Sequence, residues 1–229
     1  MTEVFDGDTI EVSLPGGKLE TVRYIGIDTP ETHHPRKKIE ELGREAWKAN
    51  RDLVLHEWVR LETDIETRDR YGRLLAYVWF KEGEDAAMVN EVMVRKGYAM
   101  PFTFPPNTRY TDLFRKAFSK AREEGQGLWE RASRRIYSPA QVWADLPYLV
   151  GSFVTLAFTV EKISESNRRF SLHPTEGNTS LVIYKSDSRL FDSIESFKGK
   201  TMEMVGKIIS GFNGAEVVLA DPVQIISIE

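Results

Sequence analysis

Asp6-Gly7-Asp8-Thr9 opens a series of three short segments in the first half of the chain. Arg23-Tyr24-Ile25-Gly26-Ile27-Asp28-Thr29-Pro30-Glu31 follows, and then Asp69-Arg70-Tyr71-Gly72-Arg73. These residue types suit metal-assisted cleavage of a phosphodiester. Carboxylates hold a hard cation, one more carboxylate handles a proton, and two arginines brace a phosphate. Each segment also has an ordinary reading. Asp-Gly is a common turn, and Asp28-Thr29-Pro30 can be an Asx-type turn that ends a strand. Arg23 and Arg73, taken singly, read as solvated strand charges. The functional reading places Asp8, Asp28 and the Thr29 carbonyl around one cation, with Glu31 beside a metal-associated water. Arg23 and Arg73 then act as forks on phosphate oxygens.

The elements around these residues follow from pattern. Val4, Ile10 and Val12 predict a first strand, interrupted by the Asp6–Asp8 turn. Gly16-Gly17 reverses the chain into a second strand over residues 19–27. Apolar residues at Ile39, Leu42, Ala46, Ala49 and Leu53 have helical spacing, which predicts a helix over 39–55. Strands are expected over 59–63 and 73–80, and helices over 86–96 and 110–124, the last two stopped by Gly97 and Gly125. The loop Pro101-Phe102-Thr103-Phe104-Pro105-Pro106 reads equally as a hydrophobic plug or as a surface for base stacking. Arg36, Lys37 and Lys38 form a basic run that, beside a phosphate site, would guide nucleic acid.

Bulk properties narrow the classes. The chain has 229 residues, a net charge of −4 and no cysteine. Disulfides, iron–sulfur clusters and thiolate zinc sites are therefore excluded. An acidic balance argues against a general coating protein for nucleic acid, though not against an enzyme with a local basic cleft. No apolar run is long enough to span a bilayer, and no membrane partner is expected. The start shows no signal-peptide pattern. The four histidines form no helix-borne pair, and there is no P-loop or dinucleotide fingerprint.

With these segments in view, residues 1–137 resemble the staphylococcal nuclease (thermonuclease) family. The ordered set carries the resemblance: Asp6-Gly7-Asp8-Thr9, Arg23, Ile27-Asp28-Thr29-Pro30-Glu31-Thr32, Asp69-Arg70-Tyr71-Gly72-Arg73, Val89-Asn90-Glu91 and Gly127-Leu128-Trp129. It implies an α+β fold, a five-stranded OB-type barrel with three helices. It also implies a Ca2+-dependent nuclease acting on DNA and RNA, with single-stranded regions favoured and 3′-phosphate ends left behind. By the same resemblance, Asp8, Asp28 and the Thr29 carbonyl would hold calcium, and Glu31 would orient or deprotonate water. Arg23 and Arg73 would bind the phosphate, and Tyr71 a neighbouring one. Lys37 and Arg70 would flank the nucleic-acid path. The chain departs from the family at Phe102 and Phe104, where the family has tyrosines; stacking survives there, but a hydroxyl hydrogen bond does not. Calcium use and family point to a secreted or extracytoplasmic protein, while the leaderless start leaves the cytoplasm open.

Residues 138–150, with Pro139 and Pro147, read as a linker. Residues 151–229 read as strands, a short helix over 187–197 and two further strands around Gly211–Gly214. That order predicts a second, small OB-like barrel. Its candidates for nucleic-acid contact are Arg168, Arg169, Phe170 and Phe212. The rival to an active nuclease is a non-catalytic scaffold for nucleic acid or protein on the same barrel. A scaffold needs no Asp8, Arg23, Asp28, Glu31 and Arg73 together, so the enzyme is the preferred reading. A protein-docking or oligomer surface is the third reading of the second barrel.

Overall fold

The computed structural model describes residues 1–32, 39–80, 86–211 and 214–229. Lys37 and Phe212 thus lie outside the described residues. The fold is α+β, in two compact units, Met1–Leu128 and Trp129–Glu229.

In the first unit, β1 (Glu3–Val4) and β2 (Thr9–Ser13) flank the Asp6–Asp8 turn, and β3 (Leu19–Tyr24) returns from the glycine hairpin. The second strand ends at Tyr24, because Gly26 turns the backbone at φ 80° before the short β4 (Ile27–Asp28). Helix α1 (Gly43–Val54) starts later than its apolar spacing suggests. Leu42 is left-handed at φ 64°, so the preceding residues cannot extend the helix. After it come β5 (Val59–Glu62), β6 (Leu74–Phe80), β7 (Ala87–Met88), α2 (Val89–Arg95), β8 (Met100–Pro101) and α3 (Thr111–Glu123).

The main sheet runs β1-β2-β3-β6-β5, with β3 and β6 parallel. That pairing sets Arg23 opposite Leu75, close in register to the Asp69–Arg73 turn. Short β4 pairs with β8, which brings the Phe102 loop beside Asp28. Tyr24, Ile27, Tyr77, Met93, Phe114 and Phe118 are fully buried and form the core between this sheet and the helices. Removing a side chain of that size from water contributes roughly 1.5–3 kcal/mol each.

In the second unit, α4 (Leu128–Ser133) leads to β9 (Ile136–Tyr137), α5 (Pro139–Ala144) and α6 (Leu146–Leu149). The stretch read as the end of the first domain and a linker has a different role here. β9 pairs with a strand of the second sheet, and Val142 and Leu149 are buried in the second core. Two prolines at helix starts, Pro139 and Pro147, account for the linker-like pattern. The sheet is built from β10 (Phe153–Glu165), β11 (Arg169–Pro174), β12 (Thr179–Tyr184), β13 (Thr201–Ser210), β14 (Ala215–Val218) and β15 (Ile225–Ile228). Its order β10-β11-β12-β14-β13 closes through a further β13–β10 pairing, with β12 and β14 parallel. The expected helix over 187–197 is instead two 3-10 turns, Ser188–Leu190 and Glu195–Phe197.

Candidate active site

Gly7 lets the first acidic turn approach β4. A Cβ there would sit 2.8 Å from the Thr29 side chain. Across that close approach, Thr29 donates both its N–H and its hydroxyl to Asp8 Oδ2, each at 2.8 Å. Thr9 Oγ1 donates to Asp8 Oδ1 at 3.1 Å. The Asp8 side chain is only 6% exposed, so two strands and a turn fix it.

Arg23 joins the two predicted metal-binding carboxylates. Its Nε lies 3.1 Å from Asp8 Oδ1, and its Nη2 donates to Asp28 Oδ1 at 3.1 Å. Its Nη1 donates to the carbonyls of Tyr24 and Ile27 at 2.8 and 2.9 Å. Burial alone would lower the Arg23 pKa, but Asp8, Asp28 and Asp6 outweigh it and raise it. Asp6, whose Oδ1 accepts the Asp8 N–H at 2.9 Å, is pushed up to about 7 by burial and then by the Asp8 charge. Three carboxylates thus crowd one guanidinium, while Asp28 is 49% exposed and faces solvent.

Arg73 is held by its own turn. Asp69 Oδ2 accepts from Arg73 Nε at 2.7 Å, and Asp69 Oδ1 accepts the N–H groups of Tyr71 and Arg73 at 2.9 and 3.0 Å. Burial pushes Asp69 up, but these hydrogen bonds outweigh it and hold its pKa below the ordinary value. The Tyr71 ring is 68% exposed, and the guanidinium groups of Arg70 and Arg73 lie 4.7 and 5.5 Å from its centroid. Arg23, Arg70, Tyr71, Arg73, Phe102 and Phe104 line one open cavity of about 520 Å³. The two phenylalanine rings are near parallel, 15° apart with centroids 6.5 Å from each other.

Glu31 occupies a separate turn. Its carboxylate accepts the Thr32 N–H at 3.1 Å, and its carbonyl accepts the Glu40 N–H at 3.0 Å. Gly43, the first residue of α1, packs against this turn, where a Cβ would meet the Glu31 carbonyl at 2.9 Å.

Comparison with known proteins shows the family of this chain. Residues 21–131 match the family described as staphylococcal nuclease homologue. The thermonuclease of Staphylococcus intermedius is 39% identical over 128 residues, which is 56% of this chain and 73% of that protein. The chain belongs to the staphylococcal nuclease family. Two Bacillus subtilis (strain 168) proteins are also similar. The SPbeta prophage-derived endonuclease YokF is 41% identical over 128 residues, 55% of this chain and 42% of YokF. Endonuclease YncB is 38% identical over 134 residues, 58% of this chain and 61% of YncB. The chain thus spans about half the length of these two relatives.

Several residues of this nuclease-family unit escaped the sequence reading. Asn50 is fully buried on α1; it accepts from Tyr24 OH at 2.8 Å and donates to the Asp6 carbonyl at 2.9 Å. Arg68 grips Glu20 through two bonds of 3.0 Å and donates to the Gly72 carbonyl at 2.7 Å. The available signal was a polar residue on the apolar face of a predicted helix, for Asn50, and an acid on the inward face of a strand, for Glu20. In the second unit, Arg169 makes a two-bond fork with Glu216 at 2.8 and 3.0 Å. Phe170 is half-buried, with Lys185 Nζ 3.8 Å from its ring centroid. Arg168 lines an open cavity with Asn167 and Tyr184.

Proposed function

We propose that this chain is a calcium-dependent nuclease that hydrolyses phosphodiester bonds of DNA and RNA and leaves 3′-phosphate ends. The observation that carries the reading is Arg23, bound to Asp8 and Asp28 at 3.1 Å while lining the same cavity as Arg73. The donors fit a hard cation. They are all oxygens, and the carboxylates of Asp8 and Asp28 carry more negative charge than the one Arg23 guanidinium cancels. Among the described residues, no group of three or more histidine, aspartate and glutamate side chains forms a ready cage. The cation would therefore draw on Asp8, Asp28, the Thr29 carbonyl and water, as calcium does. Bound there, it supplies charge neutralisation at the reacting phosphate.

The chain's own residues do the rest. Glu31 accepts the proton of the attacking water. Arg23 and Arg73 donate N–H groups to the non-bridging oxygens, where negative charge grows in the transition state. Asp69 holds the Arg73 fork in place. Arg73 also donates to the 5′ oxygen as the P–O5′ bond breaks; that oxygen leaves as a hydroxyl with a proton from solvent, and the phosphate stays on the 3′ side. Phe102 and Phe104 stack bases, and Tyr71 with Arg70 meets the next phosphate. The second unit aids polymer binding through Arg168, with Tyr184 beside it. Calcium use and the family resemblance favour a secreted or extracytoplasmic setting over the cytoplasm. Among the described residues, no helix is long and apolar enough to cross a membrane.

The test is degradation of single-stranded DNA, double-stranded DNA and RNA in calcium, magnesium or chelator. Cutting should need calcium, and Glu31→Ala and Arg73→Ala should each slow it by about 10²-fold or more. A wild-type chain that binds these polymers but stays inert with calcium would transfer the reading to a non-catalytic scaffold.

A further inference from the structure

Helix α1 presents a second surface beside Glu31. Arg44, Trp47, Lys48 and Arg51 fall at helical spacing, so they share one face. A cavity of about 370 Å³ opens there, lined by Thr32, Ile39, Arg44, Trp47 and Lys48. It shares no lining residue with the Arg23–Arg73 cavity. It abuts Glu31 directly, since the Thr32 that lines it donates its N–H to the Glu31 carboxylate at 3.1 Å.

The indole of Trp47 is fixed in place. Its N–H donates to the Val4 carbonyl at 2.9 Å, and the Arg51 guanidinium lies 5.3 Å from its ring centroid. Ile39, 46% exposed, is another apolar lining residue. Arg44 is exposed, and its guanidinium has no hydrogen-bond or ion-pair partner among the described residues. Lys48 pairs with Asp52 at 2.7 Å, but both side chains are more than half exposed. Such a pair is weak and yields readily to a phosphate. An apolar slot with an immobilised aromatic and cations at its rim matches the chemistry of single-stranded nucleic acid, whose bases stack while its phosphates pair.

We propose that this face of α1 is a second strand-binding subsite. It takes the part of a single strand adjoining the scissile phosphate on the Glu31 side, with a base or sugar against Trp47 and Ile39 and phosphates on Arg44 and Lys48. The proposal rests on the nuclease reading for its place in the path, but not for its chemistry. Glu45 and Asp52 are the acids of the same helix segment, and neither lines the cavity.

The experiment compares the full chain with Arg44→Ala/Lys48→Ala and with a charge-matched control on α3, Lys116→Ala/Lys120→Ala. Two substrates are used in calcium: a 20-nucleotide oligodeoxythymidylate and bis(p-nitrophenyl) phosphate, which offers one phosphodiester and no strand. The first variant should raise KM for the oligonucleotide about tenfold and flatten its dependence on log salt by about 1.4, the contribution of two single-strand phosphate contacts. Its hydrolysis of the small diester should stay at the wild-type rate. An unchanged oligonucleotide KM and salt slope would overturn the subsite, as would an equal shift in the α3 control. If the wild type cleaves neither substrate, the nuclease reading fails, yet fluorescence anisotropy with the labelled oligonucleotide still decides. Weaker binding by the Arg44/Lys48 variant alone supports the subsite, and equal binding by all three proteins removes it.

Discussion

Asn50 uses both ends of its amide in a position with no exposed surface. One end accepts from Tyr24, the residue after Arg23; the other donates to Asp6, two residues before Asp8. It therefore ties α1 to the two backbone segments that carry the cluster. Asn50→Ala leaves a buried hydroxyl and a half-buried carbonyl unpaired, which should cost about 2–4 kcal/mol of stability. It should also lower kcat about tenfold at a temperature where the variant remains folded, because the Asp6–Asp8 turn loses its anchor. Tyr24→Phe keeps the bond to Asp6, so it should lose stability alone. Urea unfolding and kcat, measured side by side, check this. Matching losses of kcat in both variants would mean that Asn50 supports the core and not the turn. Arg73 poses a different question, because its charge and its shape both matter. Arg73→Lys keeps the charge but loses the planar fork and the Nε contact to Asp69, and activity should fall about 10²-fold. A loss below threefold would show that charge alone suffices there.

The Asp69–Arg73 turn is an exposed hairpin loop, and Arg68 fastens it to β3. Arg68 reaches Glu20 and the Gly72 carbonyl together, while Lys18 binds the same Glu20 carboxylate. Hydrogen bonds from Arg68, then from Lys18, pull the Glu20 pKa down to about 2. A depressed folded pKa contributes stability that is complete above the ordinary glutamate value and is lost as pH falls toward 2. Thermal midpoints measured between pH 5 and pH 2 should therefore drop, and Glu20→Gln should flatten part of that fall. Parallel curves for the two proteins would show that the ion pair does not clamp the turn. Elements of this kind mark the border of what could be read from sequence. The Gly16-Gly17 hairpin and α3 were legible because local pattern alone determines them. The start of α1 was not, since Leu42 adopts a left-handed backbone that no periodicity encodes. The pairing of β3 with β6 is parallel and long-range, so nothing local announced that Arg23 and Arg73 share a cavity. The same holds for Arg169, whose partner Glu216 lies 47 residues away on β14, across the intervening strand β12. Its fork with Glu216 turns a candidate contact residue into a strand-to-strand brace.

At the scale of the whole chain, a net charge of −4 opposes a polyanion, so polymer binding has to come from local cation patches. The first unit has such patches at Arg70–Arg73 and on α1. The second unit has its own buried core and a closed sheet, which gives it independent means of folding. Among the described residues its candidate patch centres on Arg168, because Arg169 is committed to Glu216 and Phe170 is half-buried under Lys185. A single arginine beside an exposed tyrosine grips weakly, and its effect should be seen on long substrates alone. A chain of residues 1–128, the first compact unit, should keep the full chain's kcat on bis(p-nitrophenyl) phosphate while its KM for long single-stranded DNA rises about threefold to tenfold. Arg168→Ala in the full chain should reproduce most of that rise, and added salt should erase the difference between the two proteins. Should the shortened chain match the full chain in KM on single-stranded DNA, double-stranded DNA and RNA alike, the second unit has no part in holding substrate. Its sheet would then be the place to look for a protein partner.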